Sequence, residues 1–133
     1  SGVENSRGMK MVPVIKDIKI YAKYVFDKSF EGGPGLVHGG ILSTVLDEMM
    51  GYATFTQNLF CVTANLNVNF RAPSPVEKEF EIYAWVKNID GNKVYTESVI
   101  QSEEIIHVES DGLFIDLGQD AAREYFSPER KYP

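Results

Sequence analysis

The chain has 133 residues, enough for one domain with its own core, and its 44% hydrophobic and 12% aromatic content excludes a disordered polymer. A formal net charge of −6 argues against nucleic acid as the main partner, and an anionic ligand would need a local basic patch set against that field. The lone Cys61 excludes an intrachain disulfide framework and fits a reducing compartment, the cytoplasm being the expected location, and no apolar run of about 18 residues offers a membrane span.

Residues 1–16 contain no apolar stretch of the signal-peptide kind. Residues 1–8, ahead of Met9, read as an expression remnant or a flexible arm, and a single domain is expected over residues 9–133. Residues 18–26 alternate: Ile18, Ile20, Ala22, Tyr24 and Phe26 fall on one side, with Lys19, Tyr21, Lys23 and Val25 on the other. That is the pattern of a half-buried strand. Three glycines and a proline in residues 31–35 mark a loop. A helix is expected from Gly39 to residue 55 or 56. Its apolar residues point nearly all round, so it belongs inside the protein. One narrow seam differs, where Gly40, Ser43, Thr44, Asp47, Gly51 and Thr54 recur at helical spacing.

Residues 59–71 then alternate. Phe60, Val62, Ala64, Leu66, Val68 and Phe70 are expected on one face, and Cys61, Thr63, Asn65, Asn67, Asn69 and Arg71 on the other. Ala72-Pro73-Ser74-Pro75 breaks the strand. Residues 80–87 and 93–101 read as two more strands, joined through residues 88–92 with the Asp90-Gly91 hairpin signal. Residues 105–117 continue as strand, with a bulge expected near Asp111-Gly112, and residues 119–126 form a short terminal helix. The order is strand, buried helix, then four strands on short turns. The fold class is therefore α+β, one long buried helix wrapped by a curved, mostly antiparallel sheet of five to six strands.

Chemistry concentrates in Gly33-Pro34-Gly35-Leu36-Val37-His38-Gly39-Gly40 and the helix it opens. The turn leaves backbone N–H groups at a helix N-terminus, where a developing negative charge is favoured. Asp47 stands in mid-helix, and ionised acids are seldom buried without a partner or a task. Together they form a candidate active site, an electrophile polariser and a carboxylate. On position alone Asp47 is equally well a structural acid; the small-residue seam, which lets a ligand reach it, favours chemistry. Glu48 is the rival acid, on the helix side of Ile41, Val45 and Phe55, reaching the edge of the sheet or a subunit neighbour. Ser43 lacks a histidine or lysine base at a compatible place in the sequence. Cys61 lacks a paired histidine and reads as a small hydrophobe, and His107 reads as a structural strand residue. No His, Cys or acid set has metal-ligand spacing, so no metal is expected. Asn65, Asn67 and Asn69 are unusual strand residues and are expected to make polar contacts across a dimer or into a substrate cleft.

The pattern Pro34-Gly35-x-x-His38-Gly39-Gly40, with Asp47 nine residues after the histidine and Gly51 four beyond that, resembles the hotdog-fold acyl-CoA thioesterases of the phenylacetate-pathway type. Residues 62–73 resemble the strand that follows the helix there. The two motifs are well separated and correctly ordered, and the likeness covers roughly residues 24–117. It implies a hotdog fold and metal-independent, cofactor-free hydrolysis of an acyl-CoA thioester to a free acid and coenzyme A. It also implies four catalytic positions. The Gly39 N–H would polarise the thioester carbonyl, and His38 would shape that turn. Asp47 would act as general base or nucleophile, and Thr63 would help hold the attacking water. Gly40, Asn65 and Arg71 are expected to bind substrate, with Arg71 or Lys93 meeting the coenzyme A phosphates. One departure is Gly32, where some relatives carry an asparagine as a second carbonyl donor.

Gly39 and Asp47 are eight residues apart on one helix, roughly 12 Å along its axis, so the two cannot touch one carbonyl from the same chain. If both act on one thioester, the site is shared across a C2 homodimer with antiparallel helices, or a tetramer built from it. Two other readings remain at this point. A hotdog acyl-thioester dehydratase is disfavoured by the placement of His38-Gly39-Gly40. A non-catalytic acyl-CoA-binding or regulatory module is disfavoured by the presence of both Asp47 and Thr63. Tyr52, Phe55 and Phe60 suit an aromatic or an aliphatic acyl pocket equally.

Overall fold

The computed structural model describes residues 11, 13–16 and 19–127. The arm expected over residues 1–8, and Ile18 at the start of the first expected strand, lie outside the described residues. In chain order the elements are β1 (Val14–Lys16), β2 (Lys19–Val25), a short 3-10 turn (Lys28–Phe30), α1 (Gly39–Phe55), β3 (Cys61–Phe70), β4 (Glu79–Asp90), β5 (Lys93–Ser102), β6 (Ile105–Asp116) and α2 (Gln119–Tyr125). Six strands pair antiparallel in the order β1-β2-β4-β5-β6-β3, which leaves β1 and β3 at the edges. This is the α+β hotdog arrangement expected. The three-residue β1 is an addition that residues 14–16 are too short to announce.

α1 spans the expected range because both ends are chemically marked. His38 stands at the N-cap, its Nδ1 accepting from the Gly40 N–H at 2.9 Å. At the other end Asn58 turns left-handed, φ 61°, and ends the helical path. Between them Val45, Leu46, Met49 and Met50 are fully buried against the sheet. Facing them are Phe80, Ile82, Ala84, Val94, Ile100, Val108 and Phe114 from β4, β5 and β6.

Three strands each carry one extra residue in the ladder: Lys87 in β4, His107 in β6 and Ala64 in β3. Each extra residue hands the strand's alternation to the opposite face. The expected bulge at Asp111-Gly112 is corrected by this. Gly112 pairs in unbroken register with Leu66 and Thr96. Its glycine answers a packing demand instead. A Cβ there would stand 3.0 Å from Phe114 Cε1, 3.1 Å from Thr96 Oγ1 and 3.3 Å from Met50 Cε. The expected turn at residues 88–92 also tightens. β4 runs on to Asp90, which pairs with Lys93, so only Gly91 and Asn92 form the loop, with Gly91 at φ 61°.

The bulge at Ala64 overturns the expected face of β3. Thr63 pairs with Phe114, which points at α1, whereas Asn65 pairs with Leu113 on the outer face. Leu66 and Val68 pack on the core, and Asn65, Asn67, Asn69 and Arg71 alternate with them on the outside. Thr63 and the asparagines therefore lie on opposite faces of one strand.

Gly112→Ala is expected to lower stability by about 1–3 kcal/mol through overpacking against Met50, Thr96 and Phe114. Urea unfolding checks it: the midpoint should fall with no change in slope.

Candidate active site

The turn before α1 is built from backbone hydrogen bonds. The His38 N–H donates to Phe30 O at 2.8 Å, Val37 N–H to Ser74 O at 2.8 Å, and Gly32 N–H to Leu36 O at 2.8 Å. His38 therefore enters the helix from a fixed direction. Nδ1 of the ring is thereby committed as an acceptor to the Gly40 N–H, and Nε2 is the ring nitrogen that faces away from that bond. That bond also settles the part of Gly40. Its N–H is occupied by His38 and not offered to a ligand, and a Cβ would lie 3.1 Å from both Nδ1 and Cε1 of the ring. Among the described residues the Gly39 N–H donates to nothing. A Cβ at Gly39 would touch the Phe70 ring, 3.4 Å from Cζ. Gly32 cannot be replaced by a second donor in this turn, since a Cβ there would stand 2.9 Å from His38 Cα.

Two helical turns further on, Asp47 and Thr63 meet. The Thr63 hydroxyl donates to Asp47 Oδ1 at 2.8 Å, tying the middle of α1 to the start of β3. The Ala64 bulge makes this possible, since it is what separates the face of Thr63 from that of Asn65. Asp47 is half-buried and Thr63 exposed, at the mouth of a cleft of about 510 Å³. Gly51, Tyr52, Phe55, Val62 and Phe126 line the cleft beyond them. A glycine inside a helix costs about 1 kcal/mol relative to alanine, and a Cβ at Gly51 would meet nothing within 4 Å. The helix gives up stability there and keeps open space.

The remaining expected residues distribute unevenly. Glu48 lines the same cleft as Asp47. Burial, and then the neighbouring Asp47 carboxylate, push its pKa above the usual glutamate value. Cys61 forms part of the cleft wall, where burial raises its thiol pKa and keeps it an unreactive lining group. Asn65 is not in the cleft. It accepts from Asn67 Nδ2 at 3.1 Å in an outer groove, and Asn67 also donates to Asp111 at 3.0 Å. Its expected pairing with Thr63 in one substrate cleft is thereby corrected. Arg71 lies one residue past Phe70, at the Gly39 end, and is ion-paired with Glu109 at 2.6 Å. Lys93 sits in line with Ile115 and Val62, seven rows from Phe70 or roughly 23 Å along β3, and on the outer face opposite buried Val94. Arg71 and Lys93 do not form one basic patch. His107 is buried, donating from Nδ1 to Pro73 O at 2.7 Å with its ring on edge to Phe80, and it is a structural tie. Phe126, on the chain just after α2, is a cleft residue for which the linear sequence holds no signal.

A family model described as the thioesterase superfamily matches residues 34–108, from the loop before α1 into β6. The chain belongs to the thioesterase superfamily. Within it, the chain is 34% identical over 92 residues to the acyl-coenzyme A thioesterase THEM4 of Rattus norvegicus, covering 68% of this chain and 40% of that protein. It is 28% identical over 89 residues to the acyl-coenzyme A thioesterase THEM5 of Homo sapiens, covering 65% and 36%. The chain thus spans about 40% of the length of the curated relatives it matches. A crystal structure of a thioesterase superfamily protein is 25% identical with a TM-score of 0.77, over 80% of this chain and 56% of the other. A hypothetical thioesterase of Streptococcus pneumoniae TIGR4 solved with coenzyme A has the same fold, with a TM-score of 0.77 at 17% identity over 83% and 90%.

The raised pKa of Glu48 has a consequence for stability. In the unfolded chain Glu48 ionises near its ordinary value, whereas in the fold burial and Asp47 resist its charge. The charged form therefore destabilises the fold above that range. Glu48→Gln is expected to raise the thermal midpoint at pH 7 by about 1–2 °C, the gain vanishing as pH falls below about 4. Calorimetry across pH checks it, and a lowered midpoint at pH 7 would contradict it.

Proposed function

We propose that this chain hydrolyses acyl-CoA thioesters to a free carboxylic acid and coenzyme A, with Asp47 as the catalytic carboxylate. The observation that carries this reading is the 2.8 Å hydrogen bond from Thr63 to Asp47 in a cleft that also offers the apolar side chains of Phe55, Val62 and Phe126. Oδ1 is held by the threonine, and Oδ2 is left to act. As general base, Oδ2 takes a proton from water, whose oxygen adds to the thioester carbon. The C–S bond then breaks and the departing thiolate takes the proton. As nucleophile, Oδ2 adds to the same carbon and the C–S bond breaks, leaving a mixed anhydride and the thiolate; water then cleaves the anhydride, freeing the acid and the Asp47 carboxylate and supplying the proton that the thiolate takes. In both routes the carbonyl oxygen gathers negative charge, and the unoccupied Gly39 N–H at the N-terminus of α1 is the donor for it. His38, by capping Gly40, aims that N–H. The names of THEM4 and THEM5, and the coenzyme A in the streptococcal structure, support the acyl-CoA class.

The site is completed by a second copy. Gly39 and Asp47 are two helical turns apart, roughly 12 Å, too far to share a carbonyl within one chain. β3 is an edge strand, and the open side of α1 lies beside it. A C2 partner that extends the sheet along β3 brings its Gly39 towards this Asp47, and two such sites form per dimer. Arg71, at the Gly39 end, is the proposed phosphate contact once its guanidinium exchanges Glu109 for the phosphate. The free thiol of Cys61 keeps a reducing compartment, the cytoplasm, as the proposed location.

Asp47→Asn should reduce turnover of acyl-CoA substrates by about 10²–10⁴-fold. Thr63→Val should reduce it by roughly tenfold, the worth of one lost hydrogen bond of 1–2 kcal/mol. Steady-state hydrolysis of a panel of acyl-CoAs measures both. If Glu48→Gln is the crippling change and Asp47→Asn is mild, the assignment is wrong.

The shared site has its own test. Asp47→Asn and Gly39→Pro are each expected to be inactive; proline is tolerated in a first helical turn but lacks the N–H. Mixed in equal amounts and reassociated, half the dimers become hybrids in which one site carries both defects and the other neither. About a quarter of wild-type activity should return. No return, with hybrids seen by native mass spectrometry, would place both groups in one chain.

A further inference from the structure

The cleft does not end at Asp47. It continues along α1 past Gly51, one turn on, to Phe55, two turns on, and its far wall is Phe126. Beyond that wall lies a second groove of about 460 Å³, lined by Phe55, Leu59, Phe60 and Phe126 among others. Phe55 and Phe126 line both cavities, so these two rings are the partition between them. Both are strongly exposed for phenylalanines, 63% and 65%. α2 buries none of its own residues. It is fastened where the rings of Tyr125 and Phe126 pack on Phe60, at 5.3 and 5.8 Å, and where Gln119 donates to Asn58 O at 2.8 Å. This helix, which carries the Phe126 ring into the lining of the cleft, is placed to bound whatever the cleft holds.

We propose that the trench from Asp47 to Phe126 holds the acyl chain, and that α2 is its end stop. The enzyme then prefers uncharged, medium-length acyl groups. This rests on the thioesterase reading above. Two helical turns give roughly 12 Å, about ten bonds of an extended chain at ~1.2 Å each, which is the reach of an octanoyl or decanoyl group. Tyr52, Phe55, Val62 and Phe126 offer such a chain apolar contact. No Lys or Arg lines this cleft among the described residues, so an acyl group that ends in a carboxylate finds no partner for its charge there. Gly51 is the residue that keeps the floor open. Its absent side chain leaves nothing within 4 Å of where a Cβ would be.

The experiment is a chain-length series, acetyl-, octanoyl-, decanoyl- and palmitoyl-CoA, read as kcat/KM for wild type, Gly51→Leu and Phe126→Ala. Wild type should peak at octanoyl or decanoyl. Gly51→Leu fits the helix well and fills the trench, so the decanoyl-to-acetyl ratio should fall about tenfold. Phe126→Ala joins the two cavities, so the palmitoyl-to-decanoyl ratio should rise about tenfold. Binding of S-decyl-coenzyme A, a thioether that cannot be hydrolysed, is measured alongside by calorimetry and should weaken about tenfold in Gly51→Leu. If the thioether behaves so while no thioester is hydrolysed, the trench stands and the thioesterase reading falls. If the length profile and the thioether affinity are the same in all three proteins, the end stop is overturned. Light scattering is the remaining control, and a Gly51→Leu protein that has lost its oligomeric state would assign Gly51 to the subunit interface and overturn the trench.

Discussion

A helix that is apolar nearly all round must find cover, and here it has one sheet to find it in. Val45, Leu46, Met49 and Met50 vanish entirely beneath β4, β5 and β6. The sheet cannot close over the whole circumference, so one strip of α1 stays uncovered. An ionised carboxylate under the sheet would be heavily penalised for lost solvation, whereas on the strip it keeps one side in water. Asp47 and Glu48 both sit there, half-buried. The position of the site is thus a remainder of the packing problem, the only longitude of the helix where polar chemistry and an apolar wall can coexist.

The second requirement is a partner for that acid, and it comes from an irregularity. β3 inserts Ala64, and its faces exchange at that residue. Without the extra residue, Thr63 and the core residues Leu66 and Val68 could not share a face, because their spacing has the wrong parity for a regular strand. The insertion lets one strand present a hydroxyl to α1 at one end and an aliphatic face to it at the other. The outer face, meanwhile, collects Asn65, Asn67 and Asp111 into a hydrogen-bonded group of its own.

Much of this was legible in the chain. The ends of α1 could be read because they are local events: a glycine-rich turn opens the helix, and its apolar run stops just before the alternation of residues 59–71 begins. The strands could be read because alternation is a property of neighbours. Asp47 could be read because an acid on an apolar helix is out of place. What escaped was non-local. Alternation runs without a visible break through residues 59–71, so nothing in it marks Ala64 as the extra residue, and the asparagines were placed with Thr63 in consequence. Gly112 looked like a bulge because glycine in a strand has two common causes, and the cause here is the crowding of Met50, Thr96 and Phe114 from three elements. The arrival of Phe126 in the cleft of Asp47 joins positions that only the folded chain brings together. So does the separation of Arg71 from Lys93.

The bulge at Ala64 also bears on what can add to the edge of the sheet. β3 is a ten-residue strand with one side of its backbone unpaired among the described residues, and long, regular edges are templates on which other chains grow as sheet. A residue out of step halfway along means that an incoming extended segment can match the ladder before Ala64 or after it, but not through it, unless it carries a compensating irregularity. The distortion that points a threonine at an aspartate therefore also acts as a lock on the sheet's open border, interrupting open-ended fibre growth.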